Sequence, residues 1–146
     1  MIGYFVGSGD TTVGGMFTPY LWGLNGLAKL LEPVKKKNYG PALKLLLIQY
    51  YVEGEYSSAF NVSAVKVMNY SSKNKDISVR VPVRRIDFHD TDDLHRRQFL
   101  VQTTIEAVEL VHVRLEKKKL DVDMQRLRRD VEVIGEKFMT DTLEVK

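Results

Sequence analysis

The sequence predicts an α+β fold: an antiparallel β-meander of three to four strands with an N-terminal helix and two C-terminal amphipathic helices packed on the sheet. Three observations carry this. Short apolar runs divided by polar turns fill residues 43–88. One of them alternates cleanly at Ile77, Val79, Val81 and Val83, the two-residue period of a strand with one buried face. From Asp92 to Phe138 the apolar residues recur instead every three or four positions, the period of a helix. A chain of 146 residues fits one domain, spanning 1–146.

Tyr4–Val6 reads as a short edge strand ending at the turn Gly7-Ser8-Gly9-Asp10. Val13-Gly14-Gly15 lacks the Gly-Lys-Ser/Thr that a phosphate loop needs, so turn chemistry is the favoured reading. Thr18-Pro19 looks like a helix start, with Thr18 as N-cap and Pro19 at the first helical position. Tyr20, Leu24, Leu27 and Leu31 then share one stripe until Pro33 stops it. Gly23 and Gly26 each weaken such a helix by about 1 kcal/mol relative to alanine.

Lys35–Pro41 is a basic turn, read as a solvated loop in preference to a nucleic-acid patch. Leu43–Val52 is apolar in both phases, the pattern of a central strand covered on both sides. Phe60, Val62 and Ala64 are followed by Val65 and Val67 in the other phase, which suggests a bulge. Ser71–Asp76 is a hairpin-type turn, and a third strand runs from Ile77 to Phe88. Pro82 has no N–H to give a ladder, so that strand is expected at a sheet edge or with a bulge.

Asp90 or Thr91 is the expected N-cap of the first long helix. Its apolar face holds Leu94, Val101, Ile105, Val108 and Leu115, widened by Leu100, Ala107 and Val111. Phe99, Leu110 and Val113 fall elsewhere, so this helix is expected to pack twice, as a pillar between the sheet and a second helix. The second helix carries one stripe, Leu120, Met124, Leu127, Val131, Ile134 and Phe138, with Arg126/Asp130 and Arg128/Glu132 paired on its wet side. The short link Lys117–Asp123 makes the two antiparallel neighbours.

Twenty-two basic and 19 acidic residues give a formal charge of +3, with a pI near 9.0. That surplus permits an acidic partner or nucleic acid without requiring either. There are no cysteines, which removes disulfides and thiolate chemistry and fits a cytoplasmic protein. The N-terminus lacks the features of a signal peptide. Met16–Leu31 is too interrupted to reach the roughly 20 apolar residues of a membrane span.

The densest polar constellation is His89-Asp90-Thr91-Asp92-Asp93-Leu94-His95. Helix capping explains it better than metal binding or acid–base catalysis, because His95 has no ligand one turn on. His112 on an apolar helix side reads as a hydrogen-bonded core residue. No catalytic set or dinucleotide fingerprint is present, and no cofactor is expected. Arg80, Arg84, Arg85, Arg96 and Arg97 are the candidate partner-binding cations, suited to carboxylates and phosphates. Tyr50 and Tyr56 are the candidate exposed aromatic anchors.

These features favour a binding protein over an enzyme. The meander followed by Leu94–Leu115 and Lys117–Phe138, about half the chain, resembles the small immunity proteins of bacterial polymorphic and contact-dependent toxin systems. The resemblance implies stoichiometric binding that covers or distorts a cognate toxin's active site. Immunity proteins against nucleases tend to be acidic, so the basic surplus here points away from a nuclease toxin. Two alternatives stand beside it. One is a nucleic-acid or anion-binding accessory protein using Lys35–Lys37 and the arginines. The other is a small metal-dependent enzyme using His89, Asp90 and His95.

Overall fold

A strand whose side chains are apolar in both phases needs a neighbour on each edge and cover on its faces. Leu45–Val52 (β2) has both neighbours. In a computed structural model, which describes residues 2–7, 27, 29–52, 65–83 and 92–144, β2 lies between Ile2–Gly7 (β1) and Asp76–Val83 (β4). Lys66–Val67 (β3) borders β4, giving the order β1-β2-β4-β3. The strand expected at Tyr4–Val6 is β1, and it lies at the sheet edge.

The sheet is mixed, which corrects the antiparallel meander. β1 pairs parallel with β2, and β2 pairs parallel with β4; β3 and β4 alone are antiparallel. The reason is connection length. Residues 8–44 separate β1 from β2 and residues 53–75 separate β2 from β4, room enough for the dozen or so residues a parallel crossover needs. The short turn Ser71–Asp76 makes the hairpin, closed by Ser71 and Asp76 exchanging backbone hydrogen bonds at 2.9 and 3.3 Å. β4 is interior rather than at an edge. Pro82 is tolerated there because β3 pairs only with Val79 and Arg80, short of the proline.

Parallel register sets Leu46, Ile48 and Tyr50 beside Ile77, Val79 and Val81, and these six are buried on one face. Asp93–Lys117 (α2) covers that face: the Tyr50 hydroxyl and Thr103 Oγ1 share a hydrogen bond of 2.6 Å. Asp92 caps α2, one or two residues later than expected, by accepting the His95 N–H at 2.8 Å. Asp90 and Thr91 lie outside the described residues.

Met124–Glu144 (α3) packs on α2 from the other side, so α2 is the pillar the sequence predicts. Its second contact differs from the one expected, since Val113 is 54% exposed. Val101 meets Gly135 instead: a Cβ on Gly135 would lie 2.7 Å from Val101 Cγ1, so glycine lets the helices close up. Val101 beside Gly135, and Glu109 beside Arg128, fix the pair as antiparallel. Met124, Leu127, Val131 and Phe138 of the predicted stripe are buried.

The reversal between the helices is a Schellman motif. The Leu120 N–H donates to the Leu115 carbonyl and the Lys119 N–H to the Glu116 carbonyl, with Lys119 left-handed at φ 54. Glu32–Lys36 (α1) lies against α3, and the buried Leu27, Leu31 and Val34 join the core. Leu27, Lys29 and Leu30 are helical and that segment ends at a turn at Leu31, as expected of a stop at Pro33. Pro33 itself stands in the first turn of α1, where its missing N–H costs nothing. The helix start expected at Thr18-Pro19 lies outside the described residues.

Candidate interaction surfaces

The loop that follows α1 is tied to the start of α3 rather than left in solvent. Asp123 caps α3 by accepting the Arg126 N–H at 3.1 Å, and its own N–H donates to the Tyr39 carbonyl at 2.6 Å. The Tyr39 side chain is buried, and its hydroxyl donates to Asp130 Oδ2 at 2.5 Å. Lys37 Nζ reaches the same oxygen at 3.1 Å. The Arg126 guanidinium lies 5.3 Å from the Tyr39 ring centroid.

Asp130 is thus committed to Tyr39 and Lys37, not to Arg126 as its i+4 spacing suggested. The hydrogen bond from Tyr39, then Lys37, holds its carboxyl below the usual carboxylate range. Burial, and then the hydrogen bond to Asp130, push the Tyr39 phenol up. Gly40 is required at this joint. Its φ is +131, and a Cβ there would meet the Asp121 carbonyl oxygen at 2.3 Å.

On the outer side of the helix pair an open groove of about 380 Å³ is lined by His112, Gln125, Arg128, Arg129 and Glu132. Arg128 bridges the helices, reaching Glu109 at 2.7 Å and Glu132 at 2.9 Å. His112 is half-buried and faces Glu116 at 3.6 Å, so it is a groove residue and not a core one. Such partly exposed pairs contribute little to stability individually, about 0–1 kcal/mol each. The groove is polar and open, better suited to a protein side chain than to enclosing a small substrate.

The model of the family described as immunity protein 44 matches residues 4–137. The chain belongs to the immunity protein 44 family. This is a toxin immunity family and not an enzyme family. No curated protein and no solved structure matches the chain.

The residues singled out for partner binding are spread across this immunity protein. Tyr50 is 1% exposed, under α2, which corrects its reading as an exposed anchor; burial pushes its phenol up to about 12. Arg97 lies on the helix side of the sheet, donating to Asp93 at 3.0 Å with its guanidinium 4.7 Å from the Phe138 ring centroid. It ties the start of α2 to the latter part of α3. Arg80 alternates with the buried Val79 and Val81 and so lies on the opposite sheet face, beside Gln49 in register. Arg96 is half-buried in the first turn of α2.

The structure therefore does not bring Arg80 and Arg97 together. Arg84, Arg85, Tyr56, His89 and Asp90 lie outside the described residues. Among the described residues no helix is long and apolar enough to cross a membrane. The Tyr39–Asp130 joint went unnoticed in the sequence, where Asn38-Tyr39-Gly40-Pro41 reads as an ordinary turn. Its one local signal is an aromatic inside a lysine-rich loop, next to a glycine.

Proposed function

We propose that this protein neutralises a cognate bacterial toxin in the cytoplasm by binding it stoichiometrically. The observation that carries the reading is the family match, which spans nearly the whole chain. It is supported by the way the polar side chains are used. Asp92 and Asp123 cap helices, Arg97 packs on Phe138, and Tyr39 and Asp130 join a loop to α3. Inhibition then comes from occupying or distorting the toxin's active site, not from chemistry on a substrate.

The reading expects a toxin reading frame immediately upstream of the gene. Co-expression provides the test. Cells making that toxin are expected to grow when this protein is made in equal or greater molar amount, and to stop when the toxin is in excess. Growth arrest unaffected by any amount of the protein would contradict the proposal.

A further inference from the structure

Three segments far apart in sequence meet at one end of the domain. Lys44, just before β2, donates its backbone N–H to the Lys75 carbonyl at 2.7 Å. Ala42 donates to the Asp121 carbonyl at 3.3 Å, which brings the α2–α3 link to the same place. With about 3.8 Å per residue step, Lys44 and Lys119 lie within roughly 20 Å of one another.

This end carries Lys44, Lys73, Lys75, Lys117, Lys118 and Lys119. None of their side chains makes a hydrogen bond or ion pair among the described residues. The carboxylates nearby are Asp76, Asp121, Asp123 and Glu116. Asp123 is spent as a cap and Glu116 faces His112. Six lysines against four carboxylates place +2 of the chain's formal +3 here.

A second observation is conformational. Among the described non-glycine residues, left-handed backbone occurs at Lys75 (φ 56) and Lys119 (φ 54). Lys119 holds the position of a Schellman motif that glycine usually fills, and Lys75 ends the hairpin turn. Both positions keep a lysine where glycine is sterically cheaper, and both are at this end. A rule of local structure broken twice in one place is the mark of a side chain retained for use.

We propose that this lysine-rich end docks on an acidic surface of the toxin; the inference rests on the reading of the protein as a toxin-binding immunity protein. Lysines are mobile, strongly hydrated point charges, suited to steering and rim contacts more than to a buried anchor. Tyr39 and Tyr70, the aromatics of these segments, already give their hydroxyls to Asp130 and to the Ala42 carbonyl. Tyr39 is buried with Arg126 over its ring, and Tyr70 is half-buried. Among the described residues these segments therefore offer no fully exposed ring for a single-stranded base to stack on, which favours an acidic protein surface.

The test measures association of the purified full-length chain with the toxin domain encoded upstream, at about 50 mM and about 500 mM salt. Lys73→Glu with Lys118→Glu is expected to slow association roughly tenfold at the lower salt and far less at the higher. Lys75→Gly with Lys119→Gly is expected to slow it while raising the Tm, which separates lost charge from lost folding. Lys66→Glu with Lys137→Glu makes an equal charge change elsewhere and is expected to leave the rate near parental.

Parental rates in either of the first two variants overturn the inference, as does an equal loss in the third. So does low-salt binding of a short DNA duplex that Lys73→Glu with Lys118→Glu abolishes while toxin association is unchanged. If the unmodified protein binds no toxin at all, the immunity reading fails first and the inference falls with it.

Discussion

Tyr39 is the residue whose role departs most from its local context. In a lysine-rich loop it resembles a solvated side chain, yet its hydroxyl meets a carboxylate 91 positions away. Tyr39→Phe is expected to lower stability by about 1–2 kcal/mol, measured by urea unfolding, because it removes a hydrogen bond to a charged acceptor. The pH dependence follows from the directions of the shifts. Asp130 has its folded pKa below its unfolded one, so its contribution is complete above about pH 4 and is lost as pH falls through the folded value. Tyr39 and Tyr50 are shifted upward, so their neutral burial favours folding up to about pH 10, and stability falls as pH rises beyond that. Thermal melts from pH 8 to pH 11 are expected to show that fall, and Tyr50→Phe to reduce it. A rising Tm over that range would contradict the assignment. Neither tyrosine's role was legible in the sequence, because each depends on a partner from a distant segment.

At the scale of elements, local periodicity was legible and pairing was not. The alternation at Ile77–Val83 and the three-four spacing from Met124 to Phe138 each identify a buried face correctly, since both depend on side-chain direction within one segment. Strand direction depends on what lies between strands. Leu45–Val52, apolar in both phases but for Gln49, was the available sign of a parallel neighbour, and the short turns that suggested a meander pointed the other way. The helix pair offers two tests. Gly135→Leu forces a side chain against Val101 and is expected to cost about 1–3 kcal/mol of stability, with the loss read in denaturant midpoint. Lys119→Gly relieves a left-handed lysine at the end of α2 and is expected to stabilise by about 1 kcal/mol. Unchanged midpoints in both variants would argue against the close helix contact and the Schellman reversal.

At the scale of the whole molecule, α2 stands between the sheet and α3, and the Tyr39 joint fastens the loop after α1 to the same helix pair. The arginines singled out in the sequence serve this frame in part, with Arg97 stacked on Phe138, and Arg80 lies across the sheet from it. Arg84 and Arg85 lie outside the described residues, and Arg80 is set apart from Arg97 because alternation along a strand, not adjacency in sequence, decides which sheet face a residue takes. The polar groove and the lysine-rich end are assembled from several segments, beyond what spacing alone reveals. Membership of the immunity protein 44 family is the ground on which the proposed toxin binding rests. The most direct test is the mass in solution of the protein mixed with the upstream-encoded toxin domain. A single complex of one copy each is predicted; two species of unchanged mass at micromolar concentration would contradict the account.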